Sequence, residues 1–248
     1  MAIMHHGLGG TRGEPVGRRL YHALRERLVT GELVPGARLS ETEMASTYGV
    51  SRQPVREAFI KLAEERLLEI LPQRGTFVSQ IDVPAVLSAR FVREAVEADI
   101  VKLLAERGDG ALIVRLRQAL REQAAAADAE DPARFLALDE AFHRKLATSA
   151  NQGASWDILQ PLKTQMDRVR HLSARSFPLP ALLAQHMAVV DALEARDAAA
   201  ADAAMRGHLR KIIDDLPQVI EASPDYFRNA EGPNPPGHHG ADRRRCTA

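Results

Sequence analysis

The chain has 248 residues, 45% hydrophobic and only 4% aromatic, with 33 Lys+Arg against 33 Asp+Glu. That length allows one large domain or two ordinary ones, and the balanced charge excludes a uniformly basic nucleic-acid binder, so any basic face is a local patch. No apolar run reaches about 18 residues, the opening MAIMHHGLGGTRGEP lacks the apolar core of a signal peptide, and the single cysteine, Cys246, forbids an internal disulfide, so a soluble cytoplasmic protein without a membrane span is expected.

Charge is weakly uneven along the chain. Residues 1–80 carry 11 Lys+Arg against 9 Asp+Glu, a net of +2, and residues 81–230 carry 19 against 22, a net of −3. Both ends, 1–14 and 229–248, are Gly-, Pro- and His-rich and are expected to be disordered. The pairs His5/His6 and His238/His239 within them are at most loose metal ligands.

From Arg18 to Val29 the apolar spacing fits a helix, closed by Thr30-Gly31, with a turn at Pro35-Gly36. Ser40 followed by Glu43 is a capping-box signature, and its short helix ends at Tyr48-Gly49. Ser51 is an N-cap candidate for a third helix, with Pro54 in its first turn and Ala58, Phe59, Leu62 and Ala63 facing inward. LLEILPQRGTFVS then reads as two strands around a Pro-Gln-Arg-Gly turn. This order is a helix-turn-helix with a β-wing.

Beyond Asp82 the periodicity is helical to about Arg107, where Gly108 stops it. Further helices are predicted at roughly 110–128, 132–150, 154–175, 180–195 and 198–222, with Pro217 kinking or shortening the last and no strand among them. The fold class expected is therefore mainly α. A winged helix-turn-helix at 15–80 precedes an all-helical antiparallel bundle of about six helices at 81–228.

Two positions in the first part carry chemistry. Arg52 and Arg56 are i and i+4 at the start of the third helix, where like charges repel unless an anion lies on that face. Free N–H groups of a first helical turn bind phosphate, and an arginine fork suits phosphate or guanine O6 and N7. Two harmless solvated arginines would satisfy the spacing equally well.

The whole stretch VPGARLSETEMASTYGVSRQPVREAFIKLAEERLLEILPQRGTFV resembles the winged-helix domain of the GntR family of bacterial transcription regulators. The matching pieces are Pro35-Gly36, Leu39-Ser40-Glu41, Gly49-Val50-Ser51-Arg52, Pro54-Val55-Arg56-Glu57-Ala58, Leu62 and Arg74-Gly75. The resemblance implies that Ser51, Arg52 and Arg56 contact operator DNA, that the wing tip at Arg74 and Gly75 reaches the minor groove or backbone, and that Arg38 is a softer phosphate contact. One departure is Glu65-Arg66-Leu67, where the family has Glu-Gly-Leu. If the backbone needs a positive φ there, Arg66 costs about 1 kcal/mol.

In the second part, Asp139 and His143 share one helix face, and His186 and His208 follow on Ala-rich helices. An aspartate with three neutral imidazoles is a good divalent-metal set, although three separate, locally bonded histidines fit the spacing too. Residues 84–222 resemble the FCD ligand-binding domain of the FadR-like subgroup, in FVREAVEADIVKLLAERG, DEAFH, the QH and MRGHL segments and DAAAADAAM. That resemblance implies a metal held by Asp139, His143, His186 and His208, often zinc, with nickel, manganese or iron also suited. It further implies a small carboxylate effector completing the metal's shell. Arg93, or Arg90 one turn before it, would supply a cation to that effector, unless Arg93 simply pairs with Glu97. His22 and His171 are read as non-ligands.

The function expected is a dimeric transcriptional regulator, a repressor on a short palindromic operator that answers to a sugar acid, hydroxy acid or dicarboxylate. The alternative is a metal-dependent enzyme with an appended winged helix. No HExxH, nucleophile elbow or phosphate loop favours it. A winged helix that binds protein instead of DNA is a third reading.

Overall fold

The computed structural model describes residues 14–174 and 178–230. The predictions for His5/His6, His238/His239 and nearly all of both tails lie outside those residues.

The N-terminal part forms as the pattern predicts. Helices α1 (Val16–Val29), α2 (Glu41–Tyr48) and α3 (Arg52–Glu64) pack with a three-stranded antiparallel sheet of β1 (Arg38–Leu39), β2 (Leu68–Leu71) and β3 (Gly75–Val78), in the order β1-β3-β2. Leu20, Leu24 and Leu28 of α1 recur at four-residue spacing and are fully buried against Val55, Phe59 and Leu62 of α3. The Ser40 hydroxyl accepts from the Glu43 N–H at 3.4 Å, and Gly49 ends α2 in the left-handed region, φ +65°. Ser51 occupies the N-cap position of α3 in extended backbone, but its side chain makes no capping bond.

The C-terminal part is helical. It comprises α4 (Val83–Arg107), α5 (Gly110–Asp128), α6 (Pro132–Ser149), α7 (Gly153–Leu162), α8 (Thr164–Ser173), α9 (Leu179–Glu194) and α10 (Ala198–Ala222). Its main core gathers Leu104, Leu116, Phe142, Leu146, Trp156, Val189 and Met205 from six of these helices. Gly108 closes α4 at φ +63°, as predicted.

Three local expectations are corrected. The helix expected over 154–175 is two helices meeting at Lys163, so the described bundle has seven helices. Pro217 does not shorten α10, which continues through it to Ala222. A short parallel pair, β4 (Ile81–Asp82) with β5 (Phe227–Arg228), ties the two ends of the helical part together where no strand was expected. Beside this pair, Asn229 donates from its side-chain amide to Asp82 Oδ1 at 2.8 Å.

Helix α8 is the seam between the two parts. Arg25 of α1 bonds both Glu65 Oε2 at 2.7 Å and Thr164 Oγ1 at 2.9 Å. Gln165 donates to the Arg66 carbonyl at 2.9 Å, and Arg168 donates to the Ser79 carbonyl at 2.8 Å. Arg66 itself has φ +58°, so the backbone there does adopt the left-handed region.

Candidate functional site

Three helices bring the predicted ligands to one point. Asp139 and His143 come from α6, His186 from α9 and His208 from α10, and all four are buried. One ligand atom of each lies within 4.8 Å of every other. The His143 and His208 Nε2 atoms are 3.2 Å apart, those of His186 and His208 are 3.3 Å apart, and His186 Nε2 is 3.3 Å from Asp139 Oδ1. Nitrogens about 2.0–2.1 Å from a shared ion, in neighbouring coordination positions, would stand roughly 3.0–3.4 Å apart.

The far side of each ring explains the orientation. His143 Nδ1 is bonded to Glu97, His186 Nδ1 meets Gln123 Oε1 at 2.8 Å, and His208 Nδ1 meets Gln185 Oε1 at 2.9 Å. An oxygen acceptor at Nδ1 places the proton there and leaves the Nε2 lone pair facing inward. Three lone pairs and the Asp139 carboxylate, which also pairs with Arg170, then face one another in a buried space. Such groups repel unless a cation lies between them, so the donor set fits a divalent metal and the cluster could hold one.

The surroundings of His186 and His208 favour the neutral imidazole. Burial pushes His186 down to about 3 and His208 well below the usual imidazole range. Burial would raise Asp139 and Glu97. It is outweighed at Asp139 chiefly by the Arg170 guanidinium, and at Glu97 by Arg93 and the bond to His143, which hold that carboxyl at about 2.

Sequence reasoning missed the outer partners Gln123, Gln185, Arg170 and, as a ligand support, Glu97. Glu97 was visible only as the i+4 partner of Arg93. It does pair with Arg93 Nε, and it also bonds His143.

Arg93 is 1% exposed, and its other two guanidinium nitrogens have no hydrogen-bond partner among the described residues. It lines a cavity of about 200 Å³ beside the cluster, with His208, Gln185 and Arg170 also in the wall. Arg90, one turn earlier, is not in that wall. It is engaged by Glu94 and lies over the Phe91 ring. His22 and His171 lie outside the cluster.

On the N-terminal part, Arg52 and Arg56 are exposed and share one partner. Arg52 bonds Glu41 Oε2 at 3.1 Å, while Arg56 bonds Glu41 through Nε at 3.0 Å and a terminal nitrogen at 3.2 Å. The anion that offsets their repulsion is therefore a carboxylate of α2. Ser51 and Arg74 are exposed, Arg74 in the turn between β2 and β3. Gly75 has φ +110°, and a Cβ there would meet the Arg38 guanidinium at 3.0 Å, so the Arg38 side chain reaches the tip end of the wing.

Comparison with known proteins fits both halves. Residues 17–78 match the model for bacterial regulatory proteins of the gntR family, and residues 89–211 match the FCD domain. The chain is 37% identical over 215 residues to the HTH-type transcriptional repressor RspR of Escherichia coli K12, covering 86% of this chain and 94% of that one. It is 40% identical over 219 residues to an HTH-type transcriptional regulator of Streptomyces ambofaciens, covering 88% and 92%. A solved GntR regulator from Rhodococcus sp. RHA1 superposes with a TM-score of 0.67 at 30% identity, over 83% of this chain and 98% of that one. These relatives are transcription regulators, not enzymes, and regulators of this kind bind operator DNA, usually as dimers. No helix among the described residues is long and apolar enough to cross a membrane. The chain belongs to the gntR family of bacterial regulatory proteins and carries an FCD domain.

Proposed function

We propose that this protein is a dimeric, metal-containing repressor whose hold on a short palindromic operator is controlled by a small carboxylate. Residues 15–80 would bind DNA, and residues 81–228 would dimerise and bind the effector. The observation that carries the reading is the inward convergence of three imidazole Nε2 atoms and Asp139 beside Arg93, whose two terminal nitrogens lack hydrogen-bond partners among the described residues.

Asp139, His143, His186 and His208 are the ligands, with zinc the first candidate and nickel, manganese or iron alternatives. Four protein ligands leave a five- or six-coordinate ion one or two places for an effector carboxylate. Arg93 rather than Arg90 would receive the effector's negative charge, because Arg93 lines the adjoining cavity. Ser51, Arg52 and Arg56 would read the operator, with Arg74, Gly75 and Arg38 at the wing. The repressor sign is supported by the name of the Escherichia coli relative. For the effector to act, it must favour one arrangement of the two DNA-binding units over another.

Selection of bound duplexes from a random DNA library tests this reading. A palindromic consensus, lost in Arg52→Ala and Arg56→Ala, is expected. Enrichment of no sequence by the metal-loaded protein would overturn it.

A further inference from the structure

We propose that the effector is a monocarboxylate with an apolar body about the size of a ring, rather than a sugar acid or a dicarboxylate. This inference rests on the effector reading above and names the chemistry of its ligand.

The cavity beside the metal cluster has two kinds of wall. Four of its polar members, Arg93, Arg170, Gln185 and His208, are bonded to the cluster or part of it: Arg93 through Glu97, Arg170 to Asp139, and Gln185 to His208; the other polar members are Ser173 and the mutually paired Lys211 and Asp215. Most of the remaining surface is aliphatic, from Leu136, Met166, Leu182, Leu209 and Ile212. A ligand that puts its charged head at the cluster therefore lays its body on hydrocarbon.

The head is specified by Arg93. Its Nε is occupied by Glu97, while both terminal nitrogens are buried without partners among the described residues. A buried guanidinium edge with free N–H groups matches a carboxylate's two oxygens. The body is specified by the walls. A polyol chain would press hydroxyls on Leu, Met and Ile, losing water without replacement, at about tenfold or more in affinity for each. A second carboxylate needs a second free cation. Among the described lining residues, Lys211 is paired with Asp215 and Arg170 with Asp139. The size follows from the volume of about 200 Å³, since an apolar cavity of about 150 Å³ is known to hold benzene.

The test is calorimetric titration of the zinc-loaded full chain with benzoate, hexanoate, succinate and gluconate. Benzoate and hexanoate are expected to bind at least tenfold more tightly than the other two. Leu182→Asn, a half-buried change close in size, should weaken benzoate about tenfold and leave zinc binding unaltered. Arg93→Lys should weaken every carboxylate. Tighter binding of gluconate or succinate than of benzoate would overturn the apolar-body inference while leaving the effector reading standing. Zinc binding with no carboxylate binding at all would overturn both. Should the chain take up no zinc, the metal reading fails. The same titration of the metal-free chain then decides, benzoate binding supporting the inference and its absence overturning it.

Discussion

The Nε2 atoms of His143 and His208 lie 3.2 Å apart although the two residues are 65 positions apart in the chain. Each ring's Nδ1 is turned to an oxygen acceptor, so in the neutral rings the two Nε2 lone pairs face each other with no proton to share. Holding them together costs free energy in the metal-free protein, and a divalent ion converts that cost into bonds. Zinc added to chelated protein at about 100 times its dissociation constant should stabilise the fold by roughly 2.7 kcal/mol, a rise in Tm of about 5–10 °C. His143→Ala should abolish the rise. A thermal scan that is flat for every divalent metal would remove the site.

The rings are aimed by residues that do not touch the metal. Gln123 is fully buried and holds His186 Nδ1 at 2.8 Å. Gln123→Ala frees the ring to rotate and leaves a buried nitrogen unpaired. Its zinc affinity should fall about 10–100-fold. Competition with a chelating dye measures this directly, and an unchanged affinity would mean that packing alone fixes the ring.

Arg56 and Glu41 form an exposed pair, so the pair contributes little stability. Arg56→Ala should therefore leave Tm within about 1 °C of the parent. The same change should weaken operator binding by about 1–3 kcal/mol, roughly 10–100-fold, if the fork reads a base. Fluorescence anisotropy on the selected operator separates two modes. A uniform loss on all sequences with a shallower salt slope would assign Arg56 to phosphate instead.

How much of this could be read from residues alone varies with the range of the signal. Ser40, Gly49 and Gly108 act within one helical turn, and their caps are legible. The i, i+4 spacing of Asp139 and His143 is legible for the same reason, while the addition of His186 and His208 leaned on a family resemblance. The break at Lys163 has no Gly to mark it, and Lys163 itself keeps a helical-region φ of −82°. The β4–β5 pair joins Ile81 to Phe227 over two residues, too short for an alternating pattern. Gln123 and Gln185 were invisible because their bonds to histidine follow from helix packing, which no sequence spacing encodes.

Glu94 supplies the pH dependence. Arg210 at 2.9 Å, with Arg90 and Arg206, outweighs its burial and holds its carboxyl down at about 2, against an ordinary 4.5. A depressed carboxylate stabilises the fold above its unfolded value, and that contribution is lost as pH falls from about 4.5 through about 2. Glu94→Gln takes the shared carboxylate from Arg90 and Arg210, while Arg206 keeps Asp202, and should be less stable than the parent at pH 7. The gap between the two proteins, followed by urea unfolding, should close as pH drops through this window. A gap that is constant with pH would show that the loss is one of packing.

Arg66 gives the most direct test of backbone strain at the seam between the two parts. Its φ of +58° lies where a Cβ crowds the following carbonyl, at about 1–2 kcal/mol. Its side chain is exposed, so glycine removes no buried contact, and its carbonyl still accepts from Gln165. Against that gain, glycine adds freedom to the unfolded chain, roughly 0.5–1 kcal/mol. The balance favours glycine by up to about 1 kcal/mol, so Arg66→Gly should raise Tm by about 2–4 °C. Arg66→Ala keeps the Cβ and the strain, and should give no such rise. If both substitutions lower Tm equally, the arginine side chain itself holds the seam, and the strain argument fails.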